Sequence, residues 1–333
     1  MLMRTLATLA AVSAAGCATG GPGLADVPLP QGLVAVDVKP AAHAVVAFLE
    51  GPAIDAAGNL YFSDIAGNRL LKANPAGEVS VFRNPAGRPN GNTIDRQGRL
   101  VTCEGSEQGP GGGRRITRTD LKTGAVEVLT DNFMGKRYNS PNDIVVDGLG
   151  RVWFTDPYYG TDTASLQLDH ESVYRIDPDG RVTRVLTQPE IERPNGLALT
   201  PDGKTLYVVD SNSRPGGNRK IWSFRVGDDG MPADRKLVFD FGKGRGGDGL
   251  RLDSAGNLWV AGGVMNPRHS GENADVPPGV YVISPDGKLL GRIGIRDDLV
   301  TNVVFGGADG KTLFVTCGQT VYKFPLLIAG AKY

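Results

Sequence analysis

Histidine and cysteine are scarce in this chain, three of each in 333 residues. His43, His170 and His269 are too few for a His-rich metal centre, and no spacing among Cys17, Cys103 and Cys317 suits a zinc knuckle. Charge of one sign is missing as well. Thirty-six basic residues meet thirty-six acidic ones, and no Lys/Arg run is long enough to follow a phosphate backbone, so nucleic acid is not an expected partner. A sustained helical apolar period is absent, which argues against bundles. No apolar run reaches the ~20 residues that a spanning helix needs.

Glycine is abundant, with 47 residues, and a polar residue repeatedly stands eight positions ahead of one. The pairs are Glu50 and Gly58, Asn90 and Gly98, Asn142 and Gly150, Asn195 and Gly203, Asp248 and Gly256, Asn302 and Gly310. Successive polar residues are 40, 52, 53, 53 and 54 positions apart, a period close to the longer propeller repeats. In the fourth copy, Gly196–Leu199 leads through Pro201-Asp202-Gly203 into Thr205–Val209, and Lys220–Val226 and Lys236–Asp240 follow. Four short strands per copy, joined by Gly- and Pro-containing turns, are the pattern of a propeller blade. The chain is therefore expected to be all-β, a six-bladed β-propeller in one domain spanning residues 32–333. The sixth copy has only about three strands, so Leu33–Val38 is expected to complete it as the outer strand and leave no open ring edge.

The N-terminus reads as a targeting segment. Arg4, an apolar run from Leu6 to Ala15 and the small residues ahead of Cys17 resemble a bacterial lipoprotein signal, with Ala14 standing where Leu is commoner. Residues 1–16 would be the signal and Cys17 the lipidated N-terminus. Residues 17–31, rich in Gly and Pro, would be a tether. That implies an exported, periplasmic protein touching a membrane only through the lipid on Cys17. Cys103 and Cys317 fall in non-neighbouring blades and are expected as two unpaired, buried thiols.

If the six polar residues open equivalent strands, a radial arrangement brings them to one end of one axis. Glu50, Asn142, Asn195 and Asp248 then offer hard oxygen, and two carboxylates balance a divalent charge. With water completing the shell this suits calcium, magnesium or manganese being possible and zinc fitting less well. Asn302 follows Thr301 in the closure blade and is left out of the set. Asn90 could serve as ligand or as substrate contact. The loops on the same face should be Glu104–Arg115, Asp156–Glu171, Ser211–Arg219, Gly262–Pro278 and Cys317–Thr320. Tyr158 and Tyr159 are candidates for the rim, Trp153 for the core.

Several stretches carry a resemblance: Glu50-Gly-Pro with Gly58–Asp64, Arg88-Pro-Asn-Gly91, Cys103-Glu104 with Arg114–Arg118, Ser140-Pro-Asn-Asp143 with Val152–Pro157, Arg193-Pro-Asn-Gly196, and Gly247-Asp-Gly-Leu250. In that order they resemble the gluconolactonase, senescence marker protein and luciferin-regenerating enzyme family across nearly the whole propeller. The resemblance implies hydrolysis of a sugar lactone or related ester with one divalent cation, usually calcium. It implies cation binding at Glu50, Asn142, Asn195 and Asp248, and substrate contact at Arg88, Asn90 and Glu104. Two positions depart from the pattern: a long Gly105–Gly113 insertion precedes the Arg pair, and Ala53 stands where an aromatic is common.

The expected chemistry is a polarised carbonyl, with Asp248 as general base on the attacking water and direct attack by Asp248 as the second variant. The alternatives are a calcium-dependent hydrolase of aryl esters or organophosphates, and a non-catalytic envelope propeller that binds a partner by its upper loops.

Overall fold

Six turns set the repeat. The glycine eight places after each polar residue has a positive φ, 81° at Gly58, 75° at Gly98, 77° at Gly150, 68° at Gly203, 83° at Gly256 and 71° at Gly310. Each donates its N–H to the carbonyl three residues back, closing a β-turn that a side chain would strain. The strands on either side of these turns pair antiparallel.

The computed structural model describes residues 47–106, 112–161 and 163–332. Five four-stranded sheets and one three-stranded sheet form the blades, and a small hairpin, Asn132–Phe133 with Lys136–Arg137, lies between the second and third. The inner strands are Leu49–Ile54, Pro89–Ile94, Ile144–Val146, Pro194–Leu199, Gly247–Leu252 and Val300–Gly306. Every sheet runs in sequence order from its inner strand outwards. No α-helix occurs among the described residues. The all-β six-bladed propeller is thus the fold. The signal, the tether and the closing strand proposed at Leu33–Val38 all lie outside the described residues, as do residues 107–111 of the glycine-rich insertion.

Burial grades outwards. Pro194–Leu199 is buried along its whole length, whereas Val79–Arg83, an outer strand, is largely exposed. Between blades the facing side chains form the core: Val145, Trp153 and Val173 of blade three pack with Leu197, Leu206 and Phe224 of blade four. Trp153 is fully buried and its indole N–H donates to Asp147 Oδ2 at 2.9 Å, which makes it a core residue rather than a rim residue. Cys103 and Cys317 are both buried and unpaired.

Blades six and one meet directly. Thr301 Oγ1 donates to Leu49 O at 2.8 Å and Leu49 N donates to Gly318 O at 2.9 Å, so the last blade is hydrogen-bonded to the inner strand of the first.

Candidate metal and active site

The polar residues of the repeat sit at breaks in strand pairing. Register shifts occur between Glu50 and Ala53, Pro89 and Asn92, Pro194 and Leu197, Gly247 and Leu250, and Val300 and Asn302. A bulge of this kind re-aims a side chain out of the pleat. In blade three the regular strand starts only at Ile144, after Asn142. All six polar residues are buried, none more than 6% exposed.

What lets them converge is the residue that follows. In blades one, two, four and five it is glycine, and each lacks a Cβ where the next blade stands. A Cβ on Gly51 would lie 2.1 Å from Asn90 O, on Gly91 2.5 Å from Asn142 O, on Gly196 2.2 Å from Asp248 O, and on Gly249 2.1 Å from Asn302 Cγ. Gly91 N also donates to Asn142 O at 2.6 Å. At three of these junctions backbone packs on backbone, and at the fourth Gly249 packs on the Asn302 side chain.

The side chains of the polar residues interact as this packing requires. Burial holds the Glu50 carboxyl well above its usual range, and the charges of Asp248 and Asp143 push it further up. Asp248 is also raised by burial, opposed by Arg245 and by a hydrogen bond from the Asn195 side chain. Arg245 Nη2 donates to Asp248 Oδ2 in a tight ion pair. Asn195 Nδ2 donates to the hydroxyl of Tyr159 at 2.9 Å. Tyr159 is pushed far above the ordinary phenol range by burial and then by the Asp248 charge.

Asp143, Arg245, Arg251 and Asn92 were not singled out by the sequence reading, and Asn302 was set aside by it. Asp143, fully buried, takes the place glycine holds in the neighbouring blades, and its Oδ2 faces Arg251 Nη1 at 3.3 Å across 108 residues of chain. Asp143 thus lies within electrostatic reach of the two expected carboxylates, raising both, and is itself paired with an arginine as Asp248 is. Asn302, set aside above, donates Nδ2 to Glu50 Oε2 at 3.5 Å. Asn92 binds Gly51 O and Ser63 Oγ, both at 2.8 Å, and stitches blade two to blade one behind Glu50.

The three expected substrate contacts fare differently. Asn90 is 5% exposed and its Oδ1 has no hydrogen-bond partner among the described residues, a buried acceptor in need of a donor or a cation. Arg88 has φ 56° and its Nη1 donates to Ile65 O and Ala66 O, at 2.9 and 2.7 Å, strapping blade two to the top of blade one. Glu104 corrects the expectation. It is fully buried, Oε1 accepting from Arg83 at 2.8 Å and Thr117 at 3.1 Å while Oε2 accepts from Arg115 at 2.7 Å. Register decides this, because Glu104 lies opposite Arg115 on the adjoining strand. Its carboxylate holds the blade together, both oxygens already accepting from arginine.

A cation fits these residues. Among the described residues no three His, Cys, Asp or Glu side chains group so as to hold a metal by themselves. The axial donors are of another kind, two carboxylates with amides, all oxygen and suited to a hard ion. Two carboxyls strained upwards and an orphaned amide oxygen are what a bound cation would relieve. The axis carries this chemistry; a groove of about 1270 Å³ between blades one and six is lined largely by apolar residues such as Phe62, Leu71 and Phe314.

Known proteins agree with the geometry. The profile described as SMP-30/Gluconolactonase/LRE-like region matches residues 48–319. A gluconolactonase of Zymomonas mobilis is 34% identical over 324 residues, covering 90% of this chain and 82% of that protein. A 6-deoxy-6-sulfogluconolactonase of Pseudomonas putida is 29% identical, covering 78% of this chain and 79% of its own. Among solved structures, a gluconolactonase from Xanthomonas campestris superposes with a TM-score of 0.70 at 35% identity, over 84% of this chain and 86% of that one. By profile, sequence and fold alike, the chain belongs to the SMP-30/gluconolactonase/LRE-like family.

Proposed function

We propose that this gluconolactonase-like lactone hydrolase opens a sugar lactone with the aid of one divalent cation, calcium, held by Glu50, Asn142, Asn195 and Asp248. The observation that carries the reading is the buried meeting of Glu50 and Asp248, both with carboxyls held above their usual range, beside amides from two further blades. A site so loaded with oxygen and negative charge needs a cation to be occupied at neutral pH. When bound, the cation supplies Lewis-acid polarisation of the lactone carbonyl.

The protein's own groups supply the rest. Arg245 holds Oδ2 of Asp248 and so fixes the carboxylate plane. Asp248 then takes a proton from the attacking water as its oxygen bonds to the carbonyl carbon. Collapse of the tetrahedral oxyanion breaks the ring C–O bond, and the departing alkoxide recovers the proton from Asp248. The product is an open hydroxy acid. Asn90 Oδ1 accepts from a substrate hydroxyl, which favours a sugar over an aryl ester that has no such donor.

The test is a screen of aldonolactones with protein stripped by EDTA and with calcium restored. Hydrolysis that disappears on stripping and returns with calcium supports the reading. Turnover indifferent to stripping, or no hydrolysis of any aldonolactone with calcium present, overturns it. Export and lipidation at Cys17 belong to the same proposal, checked by fractionation of cells carrying the native chain or Cys17→Ser.

A further inference from the structure

The Arg-Pro-Asn-Gly motif occurs twice, at Arg88–Gly91 and Arg193–Gly196, and the two arginines do comparable work on different partners. Arg193 is buried and paired in fork geometry with Glu171, Nε to Oε2 at 2.8 Å and Nη2 to Oε1 at 2.9 Å. Its guanidinium stacks over the ring of Tyr159, 5.0 Å from the centroid. Glu171 also accepts from Tyr158 N at 3.1 Å, so both ends of this loop are held by one carboxylate. A fixed ring carries a fixed hydroxyl, and that hydroxyl stands 2.9 Å from Asn195 Nδ2.

The direction of this bond follows from counting protons. A phenol has one proton to give, and Ser211 O, a carbonyl that can only accept, lies 3.4 Å from the Tyr159 hydroxyl. With its proton directed there, the Tyr159 oxygen faces Asn195 as an acceptor. The amide must then present Nδ2 to the tyrosine, and its carbonyl Oδ1 remains the atom it can offer to a cation.

We propose that Tyr159 is a positioning residue that fixes the amide orientation of Asn195, so that Oδ1 rather than Nδ2 is presented to the cation. This rests on the cation-binding reading above and adds to it a residue that touches neither the ion nor the lactone carbonyl. Glu171 and Arg193 act one step further out by holding the ring. Without the hydroxyl only the Asp248 carboxylate still holds the amide N–H; a cation drawn to that carboxylate competes for it, and the orientation that points N–H groups at the ion, which opposes binding, becomes accessible.

The experiment is calcium titration calorimetry on the EDTA-stripped full chain, with the parent, Tyr159→Phe, Asn195→Asp and the double variant. Phe keeps the ring and its stacking on Arg193 and removes only the hydroxyl. We expect Tyr159→Phe to weaken calcium binding on the order of ten- to a hundredfold, with the melting temperature of the stripped protein unchanged. Aspartate has two equivalent oxygens and no amide to turn, so in the Asn195→Asp background the same change should cost less than about twofold on that scale. Unchanged affinity in Tyr159→Phe, or an equal loss in both backgrounds, overturns the proposal while leaving the cation site standing. A parent protein that takes up no calcium overturns both.

Discussion

Arg245, just ahead of the inner strand of blade five, and Asp248, within it, form a close ion pair, with the arginine side chain 16% exposed and the aspartate 5%. The pair restrains the carboxylate assigned as base and offsets its burial. Exchanging Arg245 for Met should leave Asp248 without its main counter-charge and cost the stripped protein roughly 1–3 kcal/mol. Added calcium should restore much of the loss, because a cation at Asp248 replaces the missing charge. Thermal melts with EDTA and with calcium test this; equal destabilisation in both would show that the arginine acts elsewhere.

Glu50 sets the pH behaviour of the stripped protein. Its folded carboxyl is raised, so between the unfolded glutamate value of ~4.3 and the raised folded value the native state holds more protons than the unfolded one. Stability must then fall as pH rises through that window, and Asp248 contributes in the same sense. Calcium should reverse the trend, its stabilising effect growing with pH as protons cease to compete. Glu50→Gln should flatten the pH dependence, raise the melting temperature of the stripped protein at neutral pH and abolish the calcium response. A stripped protein that gains stability with rising pH would contradict the burial argument.

Glu104→Gln separates two roles. With Glu104 and its partner Arg83 both largely buried, loss of the charge should destabilise the fold by about 3 kcal/mol. Denaturant midpoints and KM should be measured together. A change in KM with the midpoint unmoved would return Glu104 to the substrate.

Gly196→Ala tests the packing around the axis with one methyl group. Its Cβ would stand 2.2 Å from Asp248 O and 2.8 Å from Gly249 Cα, where only backbone can give way. A loss of about 1–3 kcal/mol is expected, with a fall in calcium affinity because Asn195 and Asp248 are pushed apart. Calorimetry and melting on one preparation show whether the two losses travel together.

Much of this site was legible because it repeats. The eight-residue interval between Glu50 and Gly58 recurs at every blade, and a repeated interval places side chains without any knowledge of contacts. Residues that break the repeat were harder to read. Asp143 stands where Gly51, Gly91, Gly196 and Gly249 stand, and that departure marked a third buried carboxylate near the axis. Arg251 answers it from two blades away, a pairing that only closure of the ring creates. The ion pairs of Glu104 were hidden for a related reason: its partners Arg115 and Arg83 arrive by strand register and from the outer strand of the neighbouring sheet, neither visible in a local motif. Tyr159 was noticed as a rim aromatic, but its bond to Asn195 depends on a loop folded over the next blade.

The strand that carries Glu50 is also the seam of the molecule, since Leu49 is bonded on one side to Thr301 and on the other to Gly318. Prying the first and last blades apart would drag one of the two principal carboxylates out of the centre. Mechanical failure and loss of ion uptake would then be one event, and a bound ion would act as a clasp on a hoop, slowing the parting of segments some 250 residues apart in the chain.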